Sequence, residues 1–183
     1  RTEDVIREAT TIFSGRHMDF ERLMPVFGNS GIAMRYSVRP YSWFRQDQGW
    51  PERTEAFIEG ASALFREVAA KALAQAGLKP ADIDTIITVS STGVATPSIE
   101  ARVMSGMGFR DDTRRIPVFG LGCAGGVSGL SLAASMARAN PGSRVLLVVI
   151  ELCTLAFRPD EMSKSNIIAT ALFGDGAAAA VLS

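Results

Sequence analysis

The 183-residue chain balances nineteen Lys and Arg against nineteen Asp and Glu, with 47% hydrophobic and 21% charged residues. Such a composition predicts a packed core rather than disorder, and the even charge excludes bulk attraction to nucleic acid or to a membrane surface. The longest apolar runs, at 144–150 and 177–182, are strand-sized and too short to span a bilayer as a helix.

In chain order, the pattern predicts a short helix over 2–13 and another over 19–27, with Pro25 at its fraying end. Residues 28–50 read as a loop in which Arg35, Arg39 and Arg45 are interleaved with Tyr36, Tyr41, Trp43, Phe44 and Trp50. Basic and aromatic side chains together suit contacts to a phosphate-bearing handle, though the same composition suits a surface loop whose aromatics dock on the core. The clearest helix is expected over 54–76: Thr54 caps it, Phe57, Ala61, Leu64, Phe65, Val68, Ala72 and Leu73 recur at helical spacing, and Gly77 ends it. A short turn at 79–84 leads to a buried strand at 85–90, a loop at 91–97 and a helix from 98 to about 106. A strand at 116–119, a glycine-rich elbow at 120–126 and a helix at 127–139 follow, with Asn140-Pro141-Gly142 as the stop. A strand at 144–151, a mixed loop and helix at 152–173, and a last strand at 177–182 complete the series.

Strands alternating with helices argue for an α/β layered fold with a mainly parallel sheet. Chemistry in such sheets collects at the carboxyl ends of the strands, so the loops after 90, 119 and 151 should surround the site. Arg1 enters directly into a helical pattern, and 177–183 reads as a core strand without a return partner, so a piece of a longer polypeptide is expected.

The most informative segment is Phe119-Gly120-Leu121-Gly122-Cys123-Ala124-Gly125-Gly126. A thiol at the start of a helix meets unpaired N–H groups and a partial positive charge, both of which favour thiolate over thiol. Glycines let a carbonyl approach the backbone closely, and the N–H of Cys123 can face the oxyanion formed when sulfur attacks a thioester. The alternative is a buried, inert cysteine, and residue type alone does not separate the two. With Cys153 as the only other cysteine, both read as reduced thiols of a cytosolic protein.

His17, the sole histidine, reads as a solvated helix-start residue beside Arg16 and Asp19. Two separated cysteines and one histidine give no zinc spacing, so no metal is expected. Gly120, Gly122 and Gly125 match a lone G-x-G-x-x-G, yet no Lys-Ser/Thr pair and no suitably spaced acid follow, which argues against phosphate-loop and dinucleotide sites. In Leu172-Phe173-Gly174-Asp175-Gly176, Asp175 is expected to hold a turn through backbone N–H groups, while Phe173 suits either core or pocket mouth.

Several segments together resemble the type III polyketide synthases, the chalcone synthase-like enzymes. They are Gly122 to Gly126, Glu151-Leu152-Cys153-Thr154-Leu155-Ala156-Phe157-Arg158, Ala171 through Ala179, Gly31-Ile32-Ala33-Met34-Arg35-Tyr36, and the stretch from Leu78 to Pro97. The resemblance spans nearly the whole chain and implies one half of a thiolase-like αβαβα fold, usually homodimeric and cytoplasmic, with residues 1–183 as its N-terminal domain. It implies acyl-CoA and malonyl-CoA as substrates, no separate cofactor, loading of a starter acyl group on cysteine, decarboxylative extension and cyclisation. By the same resemblance Cys123 is the nucleophile, Phe173 the gatekeeper, and Ser91, Thr92, Cys153 and Ala156 line the cavity. Thr96 would reach across the dimer into the partner's cavity, and Arg35 would contact CoA. Small side chains at these places suggest a roomy cavity and a long acyl starter. The family's catalytic histidine and asparagine lie in the second half of such proteins, and His17 does not match that histidine, so this piece alone is expected not to condense malonyl units. Two alternatives are a ketoacyl synthase of fatty-acid initiation and a non-catalytic acyl-CoA-binding or dimerisation domain.

Overall fold

The computed structural model describes residues 1–13, 20–161 and 163–183, and His17 lies outside them. The chain divides into two compact units, one of residues 57–151 and 176–183, the other of residues 1–56 and 152–175.

The first unit is organised by a four-stranded mixed sheet of order β2-β1-β3-β4, with β1 Thr85–Ser90, β2 Arg114–Phe119, β3 Val145–Leu152 and β4 Asp175–Leu182. Strand β1 pairs in parallel with β2 from Thr85↔Arg114 and with β3 from Thr85↔Val145. The carboxyl ends of these three strands therefore share one edge of the sheet, as expected from the βαβ pattern. All six residues of β1 are buried, Thr85, Ile87 and Val89 on one face and Ile86, Thr88 and Ser90 on the other, so neither face is a solvent-facing one.

Helix α7, Gly125–Ala139, is buried along Gly125, Gly129, Ala133 and Ala137. Four-residue spacing places these small residues in one stripe, which packs on Ile87, Val89, Val145 and Leu147. A Cβ added at Gly129 would lie 2.8 Å from Val89 and 2.9 Å from Leu147, so helix and sheet approach closer than an alanine allows. Helix α6, Ile99–Met107, closes on Gly108 at φ +82, where the left-handed turn suits glycine.

The second unit contains α1 Thr2–Phe13, α2 Phe20–Leu23, α3 Pro25–Asn29, α4 Tyr41–Phe44 and α8 Lys164–Leu172. Its core is Ala9, Phe13, Phe20, Phe27, Ile167 and Ala171, with Phe157 packed against it. Helix α5, Trp50–Ala76, crosses the boundary between the two sets of residues.

Several boundaries differ from those expected, among them the starts of α7 at Gly125 and of β4 at Asp175, each two residues early. Pro25 begins a helix, since the first turn needs no N–H from it. The same tolerance lets α5 start at Trp50 with Pro51 in its first turn, so Thr54 lies inside the helix and is not its cap. The loop expected at 28–50 contains α4. Strand β2 begins two residues early, at Arg114, because an outer strand of the sheet tolerates charged side chains and Pro117.

Candidate active site

The cysteine elbow forms where β2 runs out. Gly120 and Gly122 have φ of +84 and +54, values that side chains rarely adopt, and the chain reverses there into a 3₁₀ turn, Gly122–Ala124, that runs directly into α7. Cys123 sits in that turn and is exposed, not buried. The turn stands immediately ahead of a 15-residue helix, whose first turn leaves N–H groups without intrahelical partners and carries a partial positive charge. The Ala124 N–H donates to Leu121 O at 3.3 Å and the Gly125 N–H to Gly122 O, while the Cys123 N–H has no acceptor among the described residues.

Ser91, the residue after β1, is the expected cavity residue that meets this elbow. Its Oγ accepts the Gly122 N–H at 2.8 Å. The Ser91 N–H in turn donates to both carboxylate oxygens of Glu151, at 3.0 and 3.1 Å. Thr92 and Thr96 continue the same loop; Thr96 is exposed, and Arg102 donates from Nε to Pro97 O at 2.8 Å and from Nη2 to Thr96 O at 3.0 Å. Glu151 and Arg102 are the contributors that reading the sequence missed. Glu151 stood inside a quoted motif, but nothing local marks it as the partner of a residue sixty positions away.

The remaining expected residues belong to the other unit. Cys153 and Ala156 bound a 3₁₀ turn, Cys153–Ala156, that follows β3. That turn is tied to the glycine-flanked aspartate: the Thr154 N–H and Oγ1–H donate to Asp175 at 2.8 and 2.7 Å, and the Val38 N–H donates to Asp175 Oδ2 at 2.8 Å. Asp175 also donates its own N–H to Tyr36 O at 2.8 Å. It thus binds backbone N–H groups as expected, but those of two other segments rather than of its own turn. Phe173, the residue closing α8, is 49% exposed, which removes the core reading.

Arg35 is committed inward. Its guanidinium donates to Thr2 Oγ1 at 2.9 Å, to Ser30 Oγ at 3.3 Å and to the Ala171 carbonyl, and burial lowers its affinity for the proton from the usual arginine value. Arg53 plays a matching part, donating to Gln48 O at 2.9 Å, to Phe157 O at 2.9 Å and to Leu155 O; burial first, then Arg158, lowers its value.

Two hollows in the unit of the elbow, of about 440 and 310 Å³, are lined by charged side chains such as Glu100 and Arg115 in the larger and Asp84 and Arg110 in the smaller. Cys123 lines neither. Among the described residues no cluster of His, Cys, Asp or Glu could hold a metal ion, and no helix is long and apolar enough to cross a membrane.

Comparison with known proteins adds to this geometry. Residues 46–183 match the family described as chalcone and stilbene synthases, N-terminal domain. The chain is 40% identical over 153 residues to 1,3,6,8-tetrahydroxynaphthalene synthase of Streptomyces peucetius, covering 84% of this chain and 40% of that protein. The crystal structure of the Streptomyces coelicolor 1,3,6,8-tetrahydroxynaphthalene synthase, a bacterial type III polyketide synthase, superposes with a TM-score of 0.93 at 32% identity, over 99% of this chain and 52% of that one. The type III polyketide synthase domain of a Dictyostelium type I/III hybrid gives 0.90 at 28% identity, over 98% and 51%. The chain spans about half the length of the curated relatives it matches, 49%, 40% and 48% for three of them.

Proposed function

The chain belongs to the chalcone and stilbene synthase family and has the thiolase-like fold of type III polyketide synthases, and from that premise we propose that it is the nucleophile-bearing N-terminal half of such an enzyme. The observation that carries the reading is the exposed Cys123 on a glycine elbow ahead of α7. A helix N-terminus stabilises an anion on sulfur, and the unclaimed Cys123 N–H offers a donor to the oxyanion. Loading then proceeds in two bond changes: Sγ attacks the thioester carbonyl of an acyl-CoA, and the C–S bond to CoA breaks to release the CoA thiolate. Malonyl-CoA is the extender; loss of CO₂ leaves an enolate whose carbon attacks the acyl-cysteine, and the extended chain is cyclised.

By the resemblance, the cationic partner for the thiolate and the donors for the enolate belong to the second half of such proteins, so residues 1–183 alone are expected to be inactive and not to condense malonyl units. Phe173 is the gatekeeper, and Ser91, Thr92, Cys153 and Ala156 line the cavity. Thr96 projects toward a second protomer of a cytoplasmic homodimer. For Arg35, whose guanidinium already serves Thr2, Ser30 and Ala171, the CoA-facing role rests on the resemblance alone. The small Ala156 favours long acyl starters, a preference that Ala156→Phe should shift toward short ones.

The test is peptide-level mass spectrometry of the longest form of the protein after incubation with acyl-CoAs of graded length. An acyl adduct on Cys123, absent in Cys123→Ala, is the expected result. Failure of any acyl-CoA to label Cys123 would reject it.

A further inference from the structure

We propose that Glu151 and Ser91 are positioning residues that select which backbone N–H of the cysteine elbow meets the substrate oxyanion, an inference that rests on acyl loading at Cys123 as read above. The elbow enters Cys123 through two glycines of positive φ, at 120 and 122, and glycine gives it no conformational preference of its own. Something outside the segment must hold it. That tether is the Ser91 hydroxyl, which takes the Gly122 N–H at 2.8 Å.

Ser91 is itself held. The Glu151 carboxylate accepts the Ser91 N–H with both oxygens, at 3.0 and 3.1 Å, a charge-assisted contact stronger than one between neutral groups. Ser91 directly follows β1 and Glu151 is the penultimate residue of β3, so the elbow is referenced to the two central strands of the sheet and not to β2 alone. The start of a helical turn leaves several N–H groups without intrahelical partners. Here Gly122 gives its N–H to Ser91 and Ala124 gives its own to Leu121, and the Cys123 N–H is left without an acceptor among the described residues. Glu151 and Ser91 therefore do no chemistry on the acyl group. They fix the donor that does.

A positioning role of this kind separates two reactions of the same thiol. Thioester attack builds an oxyanion and needs the donor, whereas alkylation by iodoacetamide is a displacement at saturated carbon and does not. The experiment measures both rates at Cys123 in the full-length protein, with acetyl-CoA as the acyl donor so that cavity size has least influence. Ser91→Ala and Glu151→Ala are expected to slow acylation about tenfold to a hundredfold while alkylation changes less than about threefold. Ser91→Thr, which keeps a hydroxyl, should recover most of the loss, and Glu151→Gln, which keeps one acceptor, should lie between. Should the alanine variants not fold, the Thr and Gln variants still carry the contrast, with Gln the slower in acylation only. Acylation at the wild-type rate in the alanine or Gln variants overturns the proposal, as does a parallel fall in both rates, because the effect would then be on the thiol itself. A wild-type protein that alkylates at Cys123 but takes no acyl group from acetyl-CoA or from any longer acyl-CoA defeats the acyl-loading reading directly, and that failure is visible before any variant is made.

Discussion

The unit that carries Cys123 and the unit that carries Phe173 are held together by different means. In the first, β1 is buried throughout and α7 lies on the sheet along a stripe of two glycines and two alanines. Its order comes from apolar residues at the period of the element they occupy. In the second, the helices are short, and long irregular stretches are fastened by single polar side chains: Asp175 holds 38 and 154, Arg35 holds 2, 30 and 171, and Arg53 holds 48, 155 and 157. The comparison teaches that a helix can be held on a sheet by close packing of small residues, while a unit of loops and short helices needs buried acceptors and donors at chosen points.

The largest effect should come from breaking the packed unit at its tightest point. Gly129→Val would drive side-chain atoms into Val89 and Leu147, both buried, and is expected to cost about 3 kcal/mol or more in urea unfolding. On the same helix Val127 is 75% exposed, and Val127→Ala should change stability by less than about 0.5 kcal/mol. Similar losses at both positions would show that the glycine stripe is not what sets the helix on the sheet.

In the polar-fastened unit, Asp175→Ala leaves the N–H groups of Val38 and Thr154 without their acceptor and should cost about 2–3 kcal/mol. Faster amide hydrogen exchange at Val38 and Thr154, with little change at Ile87 or Leu147, would sharpen the contrast between the units. Arg53→Met keeps part of the aliphatic stem but gives up donation to the carbonyls of residues 48, 155 and 157, for about 1–2 kcal/mol. Unchanged thermal stability in Arg53→Met would count against polar fastening as the rule there.

This difference also decides what could be read from the sequence. The burial of β1 and β3, the small-residue helix after Cys123 and the glycine stop at Gly77 all follow from local periodicity and turn chemistry, and the structure has them where expected. The start of β2 was hidden because Arg114 and Arg115 look nothing like a strand until the sheet order makes it an outer one. The Pro residues that begin α3 and α5 look like breakers unless the helix start is already known. In the site, the glycine elbow was legible and its tethers were not. Ser91 to Gly122 spans 31 positions, Ser91 to Glu151 spans 60, and Val38 to Asp175 spans 137, and no local pattern encodes such pairings.

Among the fastening contacts, the smallest expected effect is that of a polar fastener inside the packed unit, which shows that the two means are not exclusive. Asp84, just ahead of β1, accepts the Arg144 N–H at 2.8 Å and pairs with Arg110 at 2.9 Å, so it ties the starts of β1 and β3 together. The Arg144 N–H, then the Arg110 guanidinium, hold its carboxyl below the usual aspartate value. A carboxylate with a lowered value in the folded state binds protons more readily when unfolded. Its contribution is therefore complete above the ordinary aspartate range and is lost as pH falls through the lowered folded value. With its side chain 41% exposed, the contribution is screened, and Asp84→Asn should cost only about 0.5–1 kcal/mol at neutral pH. The gap between wild type and Asp84→Asn, measured by urea unfolding from pH 7 downward, should stay level to about pH 5 and close below about pH 4. A gap that keeps its full neutral-pH size however far the pH is lowered would mean that Asp84 acts through shape and not through its charge.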